Sequence, residues 1–308
     1  MKKITLLIIL GIILSFSDAF AQQDPHYTQY MYNMNVINPA YAGSRGTLSL
    51  SALGRTQWTD TDGAPRTLTF DVDAPFGEKV GAGFSVIADE IGPVKEQNIY
   101  ADISYTISTS EVGRLAFGLK GGVTLQNIDL LSIIPPEDPN DPLFDENVNE
   151  TYPNFGAGIF YYTEKFYVGF SVPNILKTEH FEKSGGVITE ASEEVHYFLT
   201  SGYVFDLSGT TKFKPSFMAR GVAGAPVSID VNANFLFYDR LELGASYRYD
   251  DSVSGLINFG VTPNFRIGYA YDHTISDFSE GSPGGTHEVM ILYSIDLSKK
   301  NLKSPRFF

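Results

Sequence analysis

Arg114-Leu115-Ala116-Phe117-Gly118-Leu119-Lys120-Gly121-Gly122-Val123-Thr124-Leu125-Gln126 alternates without a break. Leu115, Phe117, Leu119, Gly121, Val123 and Leu125 fall on one parity, and Ala116, Gly118, Lys120, Gly122, Thr124 and Gln126 on the other. Successive side chains of a β-strand point to opposite faces, so the segment reads as a strand with one greasy face and one small or polar face. A membrane barrel needs that division, because each strand shows lipid one side chain and the lumen the next. Thr67 to Ala74 repeats it, with Leu68, Phe70 and Val72 against Thr69, Asp71 and Asp73. Ser228 to Phe237 does so too, with Ile229, Val231 and Phe235 against Asp230, Asn232 and Asn234. Leu241 to Tyr249 and Phe265 to Asp272 continue the pattern. Asp71, Asp73, Lys120, Asp230, Glu242 and Arg248 all share the polar parity, where a wet or hydrogen-bonded lumen solvates a charge that hydrocarbon would not.

Breaks at turn residues divide the chain into roughly fourteen such segments. They are 46–57, 65–75, 79–90, 94–107, 113–128, 151–163, 165–172, 194–205, 212–224, 226–237, 240–249, 253–262, 265–272 and 285–296. The long connections, Leu131 to Glu150, Pro173 to Glu193 and His273 to Gly284, all follow odd-numbered segments. Those after even ones are brief, as in Pro75 to Glu78, Asp206 to Thr211 and Pro263-Asn264. Outer-membrane barrels sort their connections in this way, with short periplasmic turns and longer outer loops, whereas a soluble β-sandwich has no reason to. An even strand number returns both termini to the periplasm. The fold expected is therefore an all-β transmembrane antiparallel barrel.

The amino terminus reads as an export signal. Lys2 and Lys3 precede the apolar run Ile4 to Leu14, and Ala19-Phe20-Ala21 offers small residues for cleavage between Ala21 and Gln22. That run is too short to span a bilayer as a helix, which takes about 20 apolar residues, and nothing later is longer. The division expected is a signal peptide over 1–21, a lead-in or plug over 22–45, a barrel over 46–297 and a short tail over 298–308. There is no cysteine, so neither a disulfide framework nor a thiolate metal site is available. Without Lys2, Lys3 and Asp18 the chain carries 20 basic and 35 acidic side chains, a balance that argues against a nucleic-acid partner. Its 18 Tyr and 23 Phe beside a single Trp suit strands with interfacial aromatic girdles facing outer-membrane lipid.

Behind the cleavage site stands Gln23-Asp24-Pro25-His26-Tyr27-Thr28-Gln29-Tyr30-Met31-Tyr32-Asn33, then Ile37-Asn38-Pro39-Ala40-Tyr41-Ala42-Gly43. Asp24-Pro25 and Asn38-Pro39 each set a rigid extended entry before a turn. Tyr27, Tyr30, Tyr32 and Tyr41 supply aromatic bodies with polar tips. This stretch resembles the opening of the PorP/SprF family of Bacteroidetes outer-membrane proteins, and the likeness extends over essentially the whole exported chain. The resemblance implies a role in type IX secretion and gliding, in which the barrel works with the secretion machinery to export or anchor a large adhesin-like surface protein. Asp24, Pro25, Gln29, Tyr30, Met31, Asn38, Pro39, Ala40, Tyr41, Ala42 and Gly43 are then either a structural plug or a docking site on a secretion component.

The tail carries Lys299, Lys300, Lys303 and Arg306 before Phe307 and Phe308, a basic end on an acidic protein. It reads either as an interfacial anchor or, on the resemblance, as a contact with the periplasmic secretion ring or a peptidoglycan-linked lipoprotein. Either Tyr293 or Phe308 serves as the aromatic insertion signal. The acidic, proline-rich loop from Pro135 to Glu146 matches no calcium-loop spacing, and with Pro173 to Glu193 it offers an outward surface for a partner. Catalytic motifs are absent, and His196 or His287 with Ser201, taken as a lumen serine, lacks a supporting Asp-His-Ser spacing. The expectation is a non-enzymatic secretion component without cofactor or metal. The rivals are a solute or hydrophobic-substrate channel of fatty-acid-transporter size and a soluble exported β protein.

Overall fold

The computed structural model describes residues 26–132, 146–176, 179–184, 187–192, 195–222, 225–276 and 284–296. Its wall is made of β1 (Thr47–Thr56), β2 (Arg66–Phe76), β3 (Val80–Ile91), β4 (Val94–Ser108), β5 (Arg114–Ile128), β6 (Val148–Tyr162) and β7 (Phe166–Val172). The second half supplies β8 (His196–Tyr203), β9 (Thr211–Val222), β10 (Ser228–Phe237), β11 (Leu241–Arg248), β12 (Ser252–Gly260), β13 (Phe265–Thr274) and β14 (Thr286–Asp296). Every neighbouring pair is antiparallel, and β14 pairs with β1 from Thr47↔Asp296 to Thr56↔His287, so the sheet closes. Closure leaves no edge, which is what lets a sheet satisfy its backbone within lipid. Among the described residues no helix is long and apolar enough to cross a membrane. Phe205–Asp206 adds a short pairing with Lys212 and Phe213 beyond β8. A separate hairpin, Glu179–Ser184 with Val187–Ser192, stands in the β7–β8 connection.

All fourteen expected strands are present, with ends moved by a few residues. β6 begins at Val148 rather than 151 because the ladder with β5 runs on to Ile128↔Val148. There Asn149, Glu150 and Thr151 are all exposed, so the alternation fades while the backbone pairing does not. The two faces separate as the parity requires: on β5, Leu119 is 63% exposed and Lys120 3%. Thr67, Thr69, Asp71 and Asp73 of β2 are buried inward while Leu68 and Phe70 face out.

Connections 77–79, 109–113, 163–165, 238–240 and 261–264 lie at one end of the barrel, here called the turn end. Tyr238 and Asp239 both have positive φ (54° and 53°), the left-handed pair that a two-residue hairpin turn demands. The other end, the loop end, carries 57–65, 129–147, 173–195 and 275–285. Its rim is stepped. β4, β5 and β6 have 15 residues each and β7 and β8 only 7 and 8, so the 173–195 connection rises from the lowest part of the wall.

Residues 26–46 enter this cylinder instead of lying against it. They form a short turn of helix at Tyr30–Tyr32, a four-residue helix Met34–Ile37 and another turn at Pro39–Tyr41. All are too short to hold their shape alone, since helix nucleation is costly, so their conformation comes from the wall around them. Their apolar side chains meet Leu53, Ile87, Phe160, Phe198, Met218 and Met290 in one buried cluster. The lumen is thus filled.

Candidate functional site

The lead-in descends from the loop end to the turn end, and the wall changes character along its path. At the loop end Glu288 accepts from the backbone N–H groups of Thr28 (3.0 Å) and Gln29 (2.8 Å). The Thr28 hydroxyl donates to Asp272 (2.6 Å), and Arg55 bridges Asp272 (2.7 Å) and Glu288 (3.1 Å). His26 meets Arg220, and Arg248 grips Asp230 through Nε (2.7 Å) and Nη2 (2.9 Å).

The register explains why these groups meet. Arg55 lies directly across from Glu288, Asp102 from Lys120, and Asp230 from Arg248. Side chains directly opposite on one face of an antiparallel pair are within reach of one another, so the ladder itself builds three ion pairs. Each is buried, and a buried pair is tolerated only where further hydrogen bonds satisfy it. The lead-in supplies many of those bonds.

The Tyr32 side chain reaches furthest, its hydroxyl donating to Glu242 near the turn end of β11, which also accepts from Asn234 (2.6 Å) and Asn258 (3.1 Å). Asn232 donates to the Tyr30 hydroxyl (3.1 Å). Asn35 donates to Asp102 (3.1 Å), while the Lys120 ammonium donates to the Val36 carbonyl (2.7 Å). Towards the turn end, Ser171 donates to the Ile37 carbonyl (2.9 Å) and Ser104 to that of Ala42 (2.7 Å). Asp73 then receives both the Gly43 N–H (2.9 Å) and Arg45 (2.7 Å).

Space, as much as bonding, fixes this lower half. Gly118 and Gly158 face each other across β5 and β6, and a methyl group on Gly118 would overlap the Pro39–Ala40 backbone. One on Gly158 would strike the Asn38 side chain, and one on Gly81 the Ala42 carbonyl. Gly43, at φ +71°, passes over Gly81 so closely that neither position has room for a side chain.

The sequence matches the family described as type IX secretion system membrane protein PorP/SprF over residues 19–293. This chain belongs to the PorP/SprF family. No curated protein matches it significantly. Solved outer-membrane barrels resemble it more distantly. The Acinetobacter baumannii outer membrane protein Omp33 is 10% identical, with 82% of this chain and all of that one aligned at a TM-score of 0.47. The Pseudomonas putida toluene transporter TodX is 9% identical, over 86% of this chain and 94% of that one, at 0.47. A Pseudomonas aeruginosa FadL homologue is 11% identical, over 82% and 89%, at 0.44. Likeness this weak says nothing of what a PorP/SprF barrel carries or binds.

Within that family the motif residues are now placed. Gln29, Tyr30, Met31, Asn38, Pro39, Ala40, Tyr41 and Ala42 are buried in the lumen, with Gly43 half-buried beside Asp73. Asp24, Pro25, the cleavage pair Ala21 and Gln22, and the tail residues Lys299, Lys300, Lys303, Arg306, Phe307 and Phe308 lie outside the described residues. So does most of the acidic loop, 133–145. The reading of Ser201 as a lumen serine is corrected: it faces outward, its hydroxyl donating to the Tyr167 carbonyl (2.8 Å), while His196 on the same strand faces inward and is buried. An odd separation along a strand puts two side chains on opposite faces. His287 also faces out and bonds Tyr269 (2.7 Å). The expectation of both termini at one end holds for the strands, since β1 begins and β14 ends at the turn end, but His26 lies in the loop-end half. Sequence reasoning missed Arg55, Asp102, Asp272 and Glu288 as the partners of the lead-in; each stood on the polar parity of its strand, but pairing them requires the register.

Proposed function

We propose that this outer-membrane component of type IX secretion acts by binding rather than by transport or catalysis, anchoring or helping to export a large adhesin-like surface protein at its loop end. The observation that carries this reading is the filled lumen: many of the inward charges that would line a solute path, among them Glu288, Asp272, Glu242, Lys120 and Asp73, hold the lead-in. The loop end is taken to face outward because its connections are the long ones, as in other outer-membrane barrels. The stepped rim, with the hairpin Glu179–Ser184 and Val187–Ser192 above short β7 and β8, offers the surface for the exported partner. Export begins with cleavage between Ala21 and Gln22. The turn end and the basic tail from Lys299 to Phe308 face the periplasm, where they meet the secretion ring or a peptidoglycan-linked lipoprotein. The motif from Asp24 to Gly43 serves as a plug and not as the first contact for a secretion component.

Deleting the gene tests this reading. It should strip at least one large protein from the cell surface while uptake of small solutes continues unchanged. An unaltered surface proteome, or a defect confined to uptake of a solute or hydrophobic compound, would overturn it in favour of a channel.

A further inference from the structure

The two ends of the lead-in lie at opposite ends of the barrel. Gly46 adjoins β1 at the turn end, where Asp296 also closes β14. His26 meets Arg220, two residues before β9 ends at the loop side in Val222. Thr28 bonds Asp272 and Glu288, each two residues from the loop-end terminus of its strand, and Arg55 beside them is one residue from the end of β1. Between these ends the bonds to Asp102, Lys120, Ser171, Ser104 and Asp73 follow in order down the wall.

We infer that the lead-in runs through the whole lumen, so that the amino-terminal end of the exported chain is displayed at the loop end, on the opposite face of the membrane from the end of β14. Cleavage after Ala21 leaves four residues ahead of His26. An extended residue covers at most about 3.6 Å, so four cover about 14 Å. The apolar band of an outer-membrane barrel is about 25 Å tall, too far for the new terminus to return to the turn end. Two consequences follow. The strands close around a threaded lead-in, since its far end is fixed to the start of β1. The loop-end start of the lead-in also borders open space: half-buried His26, with buried Tyr27 and Tyr30, lines a cavity inside the barrel with Tyr100, Phe198 and Arg220. The outward sense of this display and the cleavage after Ala21 rest on the function proposed above; the separation of His26 from Gly46 does not.

The absence of cysteine makes the test clean, because any introduced thiol is the only one. Three single-cysteine variants of the full-length protein are expressed in the native host. Asp62→Cys lies in the exposed 57–65 loop, Lys79→Cys in the exposed 77–79 turn, and Gln23→Cys ahead of the lead-in. Intact cells are treated with a membrane-impermeant maleimide, and permeabilised cells serve as the reference. Asp62→Cys and Gln23→Cys should react in intact cells, and Lys79→Cys only after permeabilisation. If Asp62→Cys reacts in intact cells and Gln23→Cys does not, the threaded path is wrong. Should Lys79→Cys react in intact cells and Asp62→Cys not, the outward orientation fails, and the separation of the ends stands only if Gln23→Cys follows Asp62→Cys.

Discussion

The two halves of the lead-in are held by different physics. From His26 to Tyr32 the grip is ionic and hydrogen-bonded, through Glu288, Asp272, Arg55 and Glu242. From Asn38 to Gly43 it is chiefly steric, with backbone pressed onto Gly81 and Gly118, the Asn38 side chain pressed onto Gly158, and single hydrogen bonds from Ser104 and to Asp73 added. An ionic seat is costly to break one partner at a time, because the survivor stays buried without its counter-charge. A steric seat responds to neither pH nor salt but fails when a side chain is added. The loop-end half is therefore the one that solution conditions can loosen, and the turn-end half the one that fixes where the plug sits.

Adding bulk to the steric half should have the largest effect. Gly118→Val sets a branched side chain against the Pro39–Ala40 backbone, and because no rotamer relieves that clash its cost exceeds the about 1–3 kcal/mol usual for overpacking. The expected outcome is a barrel that either fails to assemble, read as loss of the heat-modifiable band on gels, or assembles with its lead-in displaced and conducts ions. A variant with normal assembly and no conductance would show that the glycine floor is dispensable.

Removing one carboxylate from the ionic half comes next. Glu288→Ala takes away the acceptor of two backbone N–H groups and leaves Arg55 with Asp272 alone. Each backbone N–H left buried without an acceptor costs about 1–3 kcal/mol, which urea unfolding in lipid vesicles would register as a lower midpoint. Glu288→Gln, which keeps an acceptor oxygen beside both N–H groups and leaves the Arg55–Asp272 pair intact, should lose much less.

The smallest effect concerns His26. His26→Gln keeps a hydrogen-bonding side chain beside Arg220 and should cost no more than about 1 kcal/mol, read from the urea midpoint; a loss as large as that of Glu288→Ala would shift the weight of the ionic half to His26.

Much of the fold was legible before any coordinates, for a definite reason. A period of two is a local property, and the inward placement of Asp71, Asp73, Lys120, Asp230, Glu242 and Arg248 follows from parity alone. Loop lengths, also local, ordered the two ends. Pairing is not local: Arg55 and Glu288 are partners because β14 closes on β1 in one register, and a slip of one residue would turn one of them into lipid. Ser201 shows the same limit at small scale, since a face assigned without counting from a fixed neighbour is right only half the time. The lead-in was recognisable as a motif but not as a path, because its short helical turns carry no periodicity and its place exists only once the ring has closed around it.

Planar-bilayer recording of the purified full-length protein tests the central claim most directly. With the lumen filled from His26 to Gly46, the wild-type barrel should insert without steady conductance. A constant, ohmic current from the wild-type protein at neutral pH would mean that the lead-in does not seal the barrel, and the case for a docking protein over a channel would fail with it.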